Sequence, residues 1–166
     1  MNTKKPDALE LLEADHQAVR LLFDAYRALA ANQAAPAQRK ALAEQICMAL
    51  TIHTKLEEEL FYPLAREALR EDDLLDEAEV EHASARDLIG QILAAGPQDE
   101  LYDAKVVVLG EYVAHHVQEE QELLFPKLRA SGLDLSLLGS RMLQRRLELQ
   151  AVPEALREEA LVAMMA

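Results

Sequence analysis

The chain has 166 residues, 51% of them apolar, and a formal net charge of -13. That is enough for one domain with a real core and too little for two comfortably. The acidic balance argues against nucleic acid, which needs a basic face to displace counterions, and against anionic membrane surfaces.

The N-terminal stretch MNTKKPDALELLEADH lacks the apolar core of a signal peptide. A first helix is predicted after Pro6, with Leu9, Leu12, His16, Val19, Phe23 and Tyr26 on one face, fading into AANQAAP. A second starts near Pro36 and runs past Ile46, Leu50, His53, Glu57, Leu60 and Leu64. It contains Cys47, the only cysteine, which rules out a disulfide framework or a thiolate metal site. A third helix, from about Asp72, presents Leu75, Ala78, His82, Ala85, Ile89 and Ile92 and stops at Gly96-Pro97. The fourth, from near Gln98, shows Val106, Leu109, Val113, His116, Glu120, Leu123 and Leu124. Its VVVL is the longest apolar run of note, far short of a membrane span. Short connections predict an all-α, up-down-up-down four-helix bundle over residues 1–130. Residues 131–166 read as one or two short amphipathic helices that pack on the bundle or form a homodimer interface. A soluble, cytoplasmic protein is the expectation.

Each predicted helix places one histidine in its apolar seam. The second and fourth add a glutamate one turn later, so His53 with Glu57 and His116 with Glu120 face inward together. Unpaired buried carboxylates are costly, and two facing one another are worse. Four imidazoles and two carboxylates at one level of a bundle describe a dinuclear metal site, with the glutamates bridging and a position open for a small molecule. The chain is also a tandem duplication. EADHQAVRLL returns as EVEHASARDL 66 residues on, and HTKLEEELFYP as HVQEEQELLFP 63 residues on, each with a proline ten residues after its histidine. Pro63 and Pro126 are expected to bend their helices just beyond the site.

These motifs, DHQAVRLLF, HTKLEEELFYP, EHASARDLI and HVQEEQELLFP, resemble the hemerythrin-like, HHE cation-binding domain over about residues 10–130. The resemblance implies a hemerythrin-type bundle with two non-haem iron ions, oxo- or hydroxo-bridged, that binds O2 or NO. Its ligands would be His16, His53, Glu57, His82, His116 and Glu120. Where oxygen-carrying hemerythrins have a second histidine and an aspartate, this chain has Arg86 and Gln121. The four-His, two-Glu set is more similar to bacterial hemerythrin-like proteins, including those linked to repair of iron–sulfur centres. Imidazole and carboxylate also accept Mn, Co or Zn.

Glu13, Glu79 and Tyr112 are candidates to support the ligands by hydrogen bonding. His115 and Glu119, one residue out of register, are rejected as ligands. Glu13 and Glu79 with His16 and His82 also imitate the ferritin-like ligand set, but that fold needs a long crossover and leaves His53 and His116 without a role. Two other functions compete with a di-iron protein that binds or senses a diatomic or handles iron: a di-iron enzyme, either a ferroxidase or peroxide-reducing, and a metal-free interaction bundle with structural histidines.

Overall fold

The computed structural model describes residues 4–165, and every regular element among them is helical. α1 (Ala8–Ala31) opens on a capping box in which Asp7 and Glu10 satisfy each other's backbone N–H. α2 (Pro36–Leu56) starts on proline, leads into a five-residue π-helical turn (Glu57–Phe61), and continues as α3 (Tyr62–Leu69). α3 ends where Arg70 adopts a left-handed conformation with φ 53°. α4 (Asp73–Ala95) ends at Gly96, whose φ of 80° suits glycine. α5 (Tyr102–Glu119) runs into a second π turn (Glu120–Leu124) and then α6 (Phe125–Ala130). α7 (Leu135–Gln150) is capped by Asp134, and α8 (Pro153–Met165) begins on proline.

α5 starts later than the sequence pattern predicts. Gln98 turns back to donate to the Ala95 carbonyl and Asp99 accepts from the Leu101 N–H, so residues 98–101 form a turn held by local polar bonds.

The apolar side chains form two clusters with a polar layer between them. Leu12, Leu56, Ala78 and Leu124 belong to one cluster; Val19, Leu50, Ala85 and Leu109 belong to the other. His16, His53, His82 and His116 each fall between a member of one cluster and a member of the other. α1 and α4 run from the first cluster to the second, and α2 and α5 run back. This alternation is the up-down-up-down bundle, with the histidines near mid-height.

α7 packs on α1 and α2, and α8 on α4. The contacts are close. A methyl group at Gly139 would lie 2.7 Å from the Pro6 carbonyl oxygen, and one at Gly90 would lie 2.5 Å from Met164 Cβ. No helix among the described residues is long and apolar enough to cross a membrane.

Candidate metal centre

The two π turns begin at Glu57 and Glu120, and each ends just ahead of a proline. A proline in regular α-helix lacks the N–H that would bond four residues back, and its ring crowds that carbonyl. Here the chain takes one extra residue into the turn: the Tyr62 N–H reaches the Glu57 carbonyl and the Phe125 N–H reaches that of Glu120. The expected disturbance at Pro63 and Pro126 is thus a widened turn of the kind often found at functional sites. One residue of helix is about 100° of rotation, so the extra residue sets which side chains beyond the glutamates face inward. Tyr62 is one of them.

All six sequence-predicted ligand residues converge. His16, His53, Glu57, His82, His116 and Glu120 are buried, with Glu57 wholly inaccessible. Glu57 Oε1 lies 2.5 Å from His53 Nε2 and 3.8 Å from His82 Nε2. His116 Nε2 touches Glu120 Oε1 and lies 3.2 Å from His82 Nε2. Two groups of potential ligand atoms result, each within 4.8 Å: Glu57, His82, His116 and Glu120, and His16, His53 and Glu120. Despite these approaches, His16 Nε2, both Glu57 oxygens and Glu120 Oε2 are buried without a hydrogen bond. Buried polar atoms are rarely left so, and four around one point fit cations that ligate them.

The hemerythrin family of HHE cation-binding domains matches residues 7–128. The chain belongs to this family. A solved structure of a hemerythrin HHE cation-binding domain-containing protein from Mycobacterium kansasii superposes with a TM-score of 0.73 at 22% identity. The match covers 96% of this chain and 97% of that one, and it shows a shared fold. Among curated proteins, a DNA nickase from Nostoc sp. is 29% identical over 120 residues, 72% of this chain but 33% of its own length. The chain therefore spans about a third of that relative, whose nicking activity is its own.

In this HHE domain each inward histidine is held from behind by a neighbouring helix. His53 Nδ1 lies 3.0 Å from Asp15 Oδ2, His116 Nδ1 3.2 Å from Glu81 Oε1, His82 Nδ1 2.9 Å from Glu58 Oε1 and His16 Nδ1 3.3 Å from Gln121 Oε1. Such partners fix the ring and leave Nε2 free toward a metal. Three are carboxylates, and the Glu58 and Glu81 carboxyls are held below their ordinary range. For Glu58, hydrogen bonds from His82 and Arg86 overcome burial; for Glu81 the hydrogen bond to His116 leads.

None of these four partners was expected from sequence, because each serves a histidine on another helix. A signal was present nonetheless. Asp15-His16 recurs as Glu81-His82, and Glu57-Glu58 as Glu120-Gln121, at the offsets of the duplication.

Two of the expected supporting residues, Glu13 and Glu79, are elsewhere. Glu79 accepts from Arg66 at 3.1 Å, and Glu13 lies 3.8 Å from Arg129, both on the surface. Three residues before a histidine, each sits at the outer edge of the seam. Tyr112 is 48% exposed and makes no hydrogen bond to the histidines or glutamates, but it lies on the wall of the cavity that the four histidines touch. The phenol at the centre belongs to Tyr62, whose oxygen is 3.2 Å from Nε2 of both His82 and His116 and 3.3 Å from Glu120 Oε1. His115 is exposed, sharing Glu81 with His116 at 3.2 Å. With Glu119 it forms a surface cluster outside the buried layer.

Electrostatics point the same way. Burial, and then the Glu57 carboxylate, push Glu120 up to about 7. Burial also raises Glu57, but the neighbouring His53 outweighs it and holds Glu57 well below its ordinary range. His53 and His116 are pulled up to about 10 and 11, their carboxylate partners overriding burial. His16, buried beside His53, falls to about 4. Without metal, protons on His53 and His116 would offset the two glutamates, and cations would replace them.

Beside the centre lies a cavity of about 30 Å³ touched by all four histidines, with Val19, Leu50 and Val113 among its walls. That is room for one small molecule.

Proposed function

We propose that this HHE domain is a di-iron protein in which Glu57, Glu120, His16, His53, His82 and His116 would hold two irons, and that it binds one diatomic molecule, O2 or NO. The observation that carries this is the small, largely apolar cavity against the histidines, beside four buried ligand atoms without partners. Its size favours a diatomic over a larger substrate, and the two carboxylates on its wall, Asp15 and Glu81, are already engaged by His53 and His116. Non-haem iron supplies redox-active positions for O2 and NO. The chain itself holds the imidazoles in one tautomer and keeps bulk water out, with Thr54 and Tyr112 on the cavity wall and the Tyr62 hydroxyl among His82, His116 and Glu120.

The test is to load the protein anaerobically with Fe(II), then add NO and O2 in separate stoichiometric titrations, followed by optical absorption and Mössbauer spectroscopy. The expected result is saturation at one diatomic per iron pair, and no continued consumption of added Fe(II) or peroxide. Sustained turnover of either would make the protein an enzyme instead.

A further inference from the structure

The duplication makes the two halves of the pocket look alike, but their chemistry differs. The offsets pair Glu58 with Gln121 and Tyr62 with Phe125. Glu58 takes the Nδ1 proton of His82 with a carboxylate, whereas the amide oxygen of Gln121 serves His16. Tyr62 sets its oxygen among His82, His116 and Glu120. Phe125 stacks on His16, ring centres 5.9 Å apart, and brings no donor atom.

The partners of these groups do not cancel the difference. Glu58 is shared with Arg86 and Glu81 with His115; on the other side Asp15 is shared with Arg146. Every carboxylate therefore has one external cationic or imidazole contact, and the remaining inequality is the neutral Gln121.

Resting on the di-iron reading, we propose that the two metal positions fill in order, the His82/His116 position first, and that Gln121 is the positioning residue that keeps the His16/His53 position weaker. A carboxylate accepting the Nδ1 proton makes the imidazole a better donor and adds negative charge near the cation. At the first position both histidines have that support, from Glu58 and Glu81, and Tyr62 adds an oxygen. At the second only His53 has it, from Asp15. The grouping of ligand atoms agrees, four residues against three, with Glu120 common to both. The centre is then complete only when metal is plentiful.

The metal-free full chain would be titrated with Mn(II) up to two equivalents, following electron paramagnetic resonance and, in parallel, calorimetry. Ordered filling predicts an uncoupled mononuclear signal through the first equivalent, replaced by a spin-coupled one during the second. The dissociation constants should differ by at least about tenfold, the lower end of what such partners contribute. Gln121→Glu should tighten the second step by about tenfold, and Glu58→Gln should loosen the first by a similar factor. His16→Ala should keep one tight ion, which His82→Ala should lose. Equal constants with a coupled signal from the first additions, a tight ion that survives His82→Ala but not His16→Ala, or no response to Gln121→Glu would overturn the order while leaving the dinuclear centre standing. If no ion bound at all, both proposals would fall.

Discussion

At the scale of single residues, the centre is six candidate ligand groups that would give up protons to a metal. His53 and His116, raised to about 10 and 11 by their carboxylate neighbours against burial, hold protons at neutral pH, and Glu120 near 7 is partly protonated. A cation must displace these protons, so affinity should rise with pH. About two protons per filled centre should leave near pH 7.5, one from each histidine. Calorimetry with Mn(II) in two buffers of different ionisation enthalpy measures that number; binding with no proton release would contradict the assignment of both histidines as ligands. The convergence of the six candidate ligands was legible in sequence because His53 with Glu57, and His116 with Glu120, are contacts within one helix, and spacing reports those. Asp15, Glu58, Glu81 and Gln121 act across helices, where spacing says nothing until the helices are placed. Tyr62 was hidden for a different reason: a uniform 3.6-residue period, carried through Glu57–Phe61, assigns the wrong rotation to everything beyond.

At the scale of elements, the π turns are where helix propensity and the site conflict. Pro63 and Pro126 stand at the second positions of α3 and α6 and have no N–H to return to the preceding turn. Replacing either with alanine would let the turn relax toward regular α-helix. Proline costs up to about 3 kcal/mol in a helix interior, and part of that should return as stability of the metal-free protein. Metal affinity should move the opposite way, because Tyr62 or Phe125 and the glutamate above it would rotate out of register. Urea denaturation and Mn(II) titration of Pro63→Ala and Pro126→Ala check the two signs together. Loss of both stability and affinity would mean that the prolines themselves brace the bundle. The helices and their inward faces were readable from periodicity and breakers such as Gly96-Pro97. The start of α5 was not, since a local hydrogen-bonded turn won residues 98–101.

At the scale of the whole molecule, four antiparallel helices carry one ligand-bearing face each to a common layer between two apolar clusters. Residues far apart in sequence thereby become one centre. The C-terminal helices could be read from sequence as helices, but not their resting place, because an apolar stripe does not name the surface it covers. In the structure α7 lies against α1 and α2, where Arg146 pairs with Asp15 at 2.5 Å behind His53, and α8 lies on α4. The extension thus reaches the histidine layer through the Arg146–Asp15 ion pair.

If the histidine layer holds metal, metal content per chain will show it. Protein from iron-supplied cells would be measured by elemental analysis beside Glu57→Ala/Glu120→Ala, with circular dichroism confirming that both are helical. About two irons per chain are expected, lost from the double variant with the helices intact. Folded protein without stoichiometric metal, together with equal or greater stability when His53 and Glu57 are made apolar, would contradict that expectation and leave the buried histidines and glutamates as architecture.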